Sequence, residues 1–325
     1  MPDSKERTDL FEKDVQRLEI RAEYKKQMIA GKTQDASLEL PDSYVYFPMS
    51  IISPDNTQLR KGLSWLSNGF VVKQGRDVIA VDPGVGFVHR LTESGYDLNQ
   101  VTDLFVSHMH LDHSADANTL MDWKIRARDN TKVYAPKSVF QSQTISDFHS
   151  GLTSRFPVHH SAHVLNFDDS ANLLDNKLTF VELHHGVECA GFMLQGVKKI
   201  AYVSDTGYAL ELNGDTDIDE VATPQKDATI SKSRLSIKEY VSVADVLVVN
   251  IDSFVHNKNS KTHLSVTDLL DILAGSNISQ VVIAHVSPLG ELDYNEWAGK
   301  LAEYVETKSG IATFAPNVDG LLLNL

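Results

Sequence analysis

The chain has a single cysteine, Cys189, in 325 residues. That excludes an intrachain disulfide framework and any zinc site built from its own cysteines, so a metal centre here would rest on His, Asp and Glu. No apolar run approaches the ~18 residues that a membrane span needs, and the charged N-terminus contains no apolar signal-peptide core. Neither a membrane segment nor a secretory leader is expected, and the expected location is cytoplasmic. Basic residues are also in short supply. At a formal charge of −14 the chain repels polyanions at long range, which counts against a broad nucleic-acid surface without excluding a local basic groove. There is no internal repeat and no low-complexity tract.

What is present is a globular composition, 42% hydrophobic, in a chain long enough to bury a sizeable core. Residues 1–43 form a distinct N-terminal extension: Phe11, Val15, Leu18, Ala22 and Ile29 recur at helical spacing among dense charges, and Asp9 with Glu12 supplies a start signal. An amphipathic helix is expected, laid on the body or on a second copy in a homodimer. From Tyr44 to residue 325 the texture changes to short apolar runs of strand character: YVYFPM, GFVVKQG, DVIAVDPG, VTDLFVSH, KVYAP, KLTFVELHH, CAGFML, KIAYVSDTG, ADVLVVNID and QVVIAHVSP. Helical patterns sit between some of them. In LSVTDLLDILAGS, Ser265 with Asp268 resembles a capping box and Gly275 supplies a stop. Strands with interspersed helices imply a layered α/β body. The polar stretch 211–236 is expected to be a long loop or lid.

The densest chemical signal is VSHMHLDHSAD, residues 106–116. Leu104, Phe105 and Val106 extend a buried strand, and His108, His110, Asp112 and His113 follow at its C-terminal end, where α/β scaffolds commonly place a site. His108 and His110 share a face by the period-two rule, while Asp112 and His113 turn towards a second point nearby. Imidazole nitrogen and carboxylate oxygen suit zinc and similar divalent metals, and two clusters a few residues apart suggest two metals.

SHMHLDH resembles the signature of the metallo-β-lactamase fold superfamily, and further segments fit that resemblance in order. DVIAVDPG is similar to the strand and turn before the signature, with Asp82 supporting the ligands. LHHGVECAGFML resembles the third-motif segment of the ribonuclease Z branch, making His185 the ligand and His184 its neighbour on the other face. IAYVSDTG resembles the motif whose aspartate, here Asp205, bridges both metals, and VVIAHVSP resembles the last motif, with His285. The resemblance implies a four-layer αββα sandwich carrying two divalent ions, zinc or manganese. His108, His110 and His185 would hold one, and Asp112, His113 and His285 the other. Such a pair activates a water and orients a phosphodiester for in-line attack. Asp112 and His263 are the candidate catalytic residues. His263, in KTHLSVTD, occupies a place similar to that of the ribonuclease Z His-Ser-Thr histidine, which assists catalysis; an exposed helix-start histidine is the other reading.

The chain also departs from ribonuclease Z. Where that branch carries His-Glu-Ala-Thr, this one reads Asn250, Ile251, Asp252, Ser253, and residues 137–180 contain no glycine- and lysine-rich tRNA-gripping arm. That region contains instead Phe148, His149 and the cluster His159, His160 and His163; lining of the pocket mouth is one reading, and the histidines are read instead as solvated loop residues. Cys189 is read as a small buried hydrophobe, and Trp65, Trp123 and Trp297 as packing residues. His110 argues against the diiron branch, which has Glu there. The expected function is hydrolysis of a small or cyclic phosphodiester. The alternatives are RNA 3′ processing of the ribonuclease Z kind, hydrolysis of carboxylic esters, lactones or sulfate esters, and a non-catalytic interaction module, which the intact ligand set disfavours.

Overall fold

The computed structural model describes residues 40–48, 69–127, 131–150, 160–167, 169–207, 237–252, 262–285, 294–316 and 320–325. The expected N-terminal helix and the 211–236 segment lie outside them, as do Trp65 and His159. In chain order the elements are β1 (Tyr44–Phe47), β2 (Phe70–Gln74), β3 (Asp77–Val81), α1 (Phe87–Glu93), β4 (Asp103–Phe105), α2 (Leu111–Ser114), α3 (Ala117–Arg126), β5 (Thr131–Ala135), α4 (Lys137–Gln141), α5 (Asp147–Ser150) and β6 (His160–Val164). They continue as β7 (Ser170–Asn172), β8 (Lys177–His184), β9 (Glu188–Gln195), β10 (Lys199–Val203), α6 (Ile237–Val241), β11 (Val246–Asn250), α7 (Val266–Leu273), β12 (Gln280–Ala284), α8 (Tyr294–Ser309), β13 (Ala312–Phe314) and β14 (Leu321–Asn324).

The strands form two seven-stranded sheets, ordered β14-β1-β2-β3-β4-β5-β6 and β13-β12-β11-β10-β9-β8-β7. Each has an antiparallel half and a parallel half. The first runs parallel from β3 to β6 and the second from β10 to β13. Period-two alternation sorts each buried strand between two cores. On β11, Val246 and Val248 face the other sheet, whereas Leu247 and Val249 face helices. On β3, Ile79 and Val81 point between the sheets and Val78 and Ala80 outward.

Three hydrophobic clusters result. The middle one joins Phe70, Phe105 and Tyr134 of the first sheet to Phe180, Phe192 and Tyr202 of the second. One outer cluster packs α1, α3 and α4 on the first sheet through Leu91, Leu120 and Val139. The other packs α6, α7 and α8 on the second through Val241, Leu269 and Val305. Three cores separate four layers, so this is the αββα sandwich of the metallo-β-lactamase fold. The Ser265–Asp268 capping box at the start of α7 is formed, and Gly275 takes φ +77° just past its end. No helix among the described residues is long and apolar enough to cross a membrane.

Candidate metal centre

Parallel strands deliver their C-terminal ends to one edge of a sheet, and here the two sheets bring those edges together. Asp82 follows β3, Ser107 to His110 follow β4, His185 follows β8, Asp205 follows β10, Asn250 ends β11 and His285 follows β12. The edges are tied across the sandwich by the Ala190 amide, which donates to the Ser107 carbonyl at 3.0 Å. Close packing continues beneath: a Cβ at Gly191 would stand 2.4 Å from the Tyr202 carbonyl, which allows β9 only a glycine there.

The floor of the site is Asp82, fully buried and at φ +46°. One carboxylate oxygen accepts from the Ser107 amide at 2.7 Å. The other accepts from the Ser107 hydroxyl at 2.6 Å, the Tyr202 hydroxyl at 2.6 Å and His113 Nδ1 at 2.9 Å. These bonds set tautomers. His113 donates Nδ1–H to Asp82, so Nε2 is the nitrogen turned to the site. Ser107, donating to Asp82, accepts from His108 Nδ1 at 2.9 Å, which bares His108 Nε2. His185 donates Nδ1–H to the Thr262 carbonyl at 3.0 Å, again leaving Nε2 bare. A partner that fixes the far nitrogen of an imidazole is the usual support of a metal-ligating histidine.

The bared atoms converge. His108 Nε2 and His185 Nε2 lie 3.0 Å and 3.3 Å from His110 Nδ1, and the three residues form one compact ligand group. Asp112, His113 and His285 form a second, with Asp112 Oδ2 at 3.5 Å from His113 Nε2 and 3.3 Å from His285 Nε2. Asp205 Oδ2 stands between them, at 3.6 Å from His113, 3.5 Å from His285, 3.9 Å from His185 and 4.0 Å from His108. His263 Nε2 also reaches it, at 3.4 Å. His108, His113, Asp205 and His285 are buried, whereas His110, Asp112, His185 and His263 are partly open to solvent, so the floor is closed and one side accessible.

Electrostatics favour cations at this point. Burial opposes ionisation of Asp205, but His285 and His113 outweigh it and hold the carboxyl well below its ordinary range. Burial likewise opposes the Asp112 charge and is overcome by His113 and His285. His108 goes the other way, because burial and the neighbouring His113 strip its proton. For His113, burial disfavours charge, yet Asp205, Asp112 and Asp82 raise it well above the usual imidazole range. Two ionised carboxylates among imidazoles thus draw positive charge inward. Even so, the buried His113 Nε2 has no hydrogen-bond partner among the described residues. A buried imidazole nitrogen left without such a partner costs stability, and a metal cation that displaces its proton would satisfy it. The residues fit two divalent ions.

Residues that the sequence did not single out complete the centre. Asn250 donates Nδ2–H to Asp205 Oδ1 at 2.9 Å. Tyr202 and Ser204 extend the Asp82 network, with Ser204 donating to Ser107 at 2.8 Å. Buried polar side chains at successive strand ends are the signal for these, visible only once the strands are placed. Cys189 is buried, as expected of a small hydrophobe, and its Sγ lies 3.7 Å from His108 Nδ1. His163 is an exposed residue on strand β6, stacked on Tyr134 with centroids 5.0 Å apart, and not a loop histidine. His149 is engaged by Ser146 and Asn118. Trp297 packs in the outer core. Trp123 is exposed, donating to Asn99.

An αββα sandwich with a His/Asp constellation at one edge defines a class, and comparison with known proteins agrees. Residues 78–286 match the family model of the beta-lactamase superfamily domain. The chain belongs to that superfamily, a hydrolytic and metal-binding group. A relative, ribonuclease BN of Citrobacter koseri, is 23% identical over 239 residues, 63% of this chain and 77% of that protein. Among solved structures, the metallo-β-lactamase fold protein YhfI from Bacillus subtilis aligns with a TM-score of 0.62 at 14% identity, covering 86% of this chain and 98% of its own. A diphosphatase from the PhnP family gives 0.57 at 14% identity, with 87% and 98% covered.

Proposed function

We propose that the chain is a dinuclear metal-dependent phosphodiesterase acting on small or cyclic phosphodiesters. The observation that carries this reading is the position of Asp205 Oδ2, within 4.0 Å of ligand nitrogens in both groups. When bound, two divalent cations, zinc or manganese, lower the pKa of a shared water and neutralise the charge of a diester. The chain's own residues supply the rest. His108, His110 and His185 would hold one ion, Asp112, His113 and His285 the other, and Asp205 would be shared by both. Asp82 and Ser107 keep the imidazoles in register. Asp112 stands on the open side as the solvent-accessible carboxylate of the centre. His263 stands there too, raised above the ordinary imidazole range by its contact with Asp205. Its Nδ1 is held by the Thr262 hydroxyl at 3.0 Å, so Nε2, 3.4 Å from Asp205 Oδ2, is the nitrogen turned to the site and the one to protonate a departing alkoxide.

A ribonuclease and a diphosphatase among the relatives support a phosphoryl centre as the electrophile. The net charge of −14 supports a small substrate, since long RNA is held through many phosphate contacts to Lys and Arg. The test is a panel of bis-p-nitrophenyl phosphate, cyclic mononucleotides, p-nitrophenyl esters, lactones and a precursor tRNA, each with zinc or manganese. Turnover of the aryl and cyclic diesters, with little salt dependence, is expected. Trimming of the tRNA 3′ trailer without diester turnover would restore the ribonuclease reading, and turnover of the esters or lactones alone would replace the phosphodiesterase reading with an esterase.

A further inference from the structure

A carboxylate that bridges two ions must be kept from turning both oxygens onto one of them. In this chain Asp205 is buried, and its two oxygens have separate surroundings. Oδ2 faces His108, His113, His185, His263 and His285. Oδ1 accepts the Asn250 Nδ2–H at 2.9 Å. Asn250 is itself buried and ends β11, the strand that pairs in parallel with β10, from which Asp205 emerges. Its amide orientation is settled chemically. A carboxylate only accepts, and the Tyr202 hydroxyl, 3.4 Å from Nδ2, already donates to Asp82. The nitrogen must therefore face both. The amide oxygen, turned away, has no partner among the described residues, so what holds the side chain among them is its donor.

We infer that Asn250 is a positioning residue that makes Asp205 a single-oxygen bridge, by occupying Oδ1 and leaving Oδ2 to both metals. The inference rests on the dinuclear reading. Without the Asn250 donor, Oδ1 is free to swing onto one ion, and the second ion loses its share of the carboxylate. Loss of such a support typically costs about tenfold to a hundredfold in metal affinity.

The experiment is titration of metal-stripped protein with Co²⁺, following the visible absorption, for wild type, Asn250→Leu, Asn250→Asp and Asn250→Ser. Leucine has a similar shape and removes the donor; aspartate removes it when ionised; serine retains a shorter one. Unfolding of each metal-stripped variant identifies those that fold, and one folded donorless variant decides the matter. Wild type is expected to bind two equivalents. The donorless variants should bind the first near wild-type affinity and the second about tenfold or more weakly, with a changed Co²⁺ spectrum, and serine should recover part of the loss. Two equivalents at wild-type affinity with an unchanged spectrum in a folded donorless variant would overturn the role of Asn250 alone. Fewer than two equivalents in wild type would overturn the dinuclear reading instead.

Discussion

At the residue scale, the clearest division is between side chains whose chemistry shows in the sequence and those whose chemistry depends on burial. Asp205 is of the first kind. As the carboxylate shared by both groups, its replacement in Asp205→Ala should abolish turnover and reduce bound metal from two ions to one or fewer, as elemental analysis would show. Asp82 combines the two kinds: its place before the signature is readable, but the hydrogen bonds it accepts from Ser107, His113 and Tyr202 are not. Asp82→Ala strands several buried donors at about 1–3 kcal/mol each, so a large fall in the unfolding midpoint is expected together with weaker metal binding. Asn250 and Tyr202 are wholly of the second kind. Asn250 lies where a family motif is missing, and its amide gains meaning only when β11 is laid beside β10. Asp103 offers a contrast away from the site. Burial raises its pKa, and Oδ1 has no hydrogen-bond partner among the described residues. Because the folded value is raised, the carboxyl's favourable contribution is full at low pH and is lost as pH rises through it. Asp103→Asn should therefore raise the melting temperature at pH 7, and the gain should vanish below about pH 3.9, where the unfolded carboxyl is also protonated.

At the element scale, the ten strand runs read from the sequence are β1 to β5 and β8 to β12. The four that carried no signal, β6, β7, β13 and β14, are the four edges of the two sheets. The reason is physical. An interior strand is covered on both faces and both sides and must be apolar, whereas an edge such as HSAHV or SAN can be short and polar because half its backbone is unpaired. That His108 and His110 share a face was legible through alternation; strand register and the joining of the two sheets were not, because they depend on contacts distant in sequence. Asp77, at the opposite end of β3 from the metal site, shows such a join. Its buried carboxylate accepts from the backbone amides of Leu174, Asp175 and Asn176 and from the Asn176 side chain, clamping the β7–β8 turn to the first sheet. Asp77→Ala should destabilise the protein by on the order of 2 kcal/mol or more, lowering the melting temperature by several degrees. Turnover and metal content at 25 °C should be unchanged. A loss of bound metal in this variant would mean that the two ends of the sandwich are coupled.

At the scale of the whole molecule, the proposed substrate rests on charge and the proposed reaction on the centre. The fold alone hosts more than one chemistry, so activity has to be argued from the eight His and Asp side chains at the strand ends. The N-terminal extension, outside the described residues, carries a proposal of its own: its apolar stripe of Phe11, Val15, Leu18 and Ala22 mediates self-association. Deleting residues 1–40 should reduce the mass seen by light scattering from dimer to monomer, and an unchanged mass would discard that role. The central claim is that the constellation around Asp205 works as a two-metal hydrolytic centre. It is tested most directly by restoring metal to stripped protein and measuring bis-p-nitrophenyl phosphate hydrolysis against equivalents of zinc or manganese added. Hydrolysis should rise to a plateau at two equivalents per chain and be absent without metal. Full activity in the stripped protein, or a plateau at one equivalent, would contradict it.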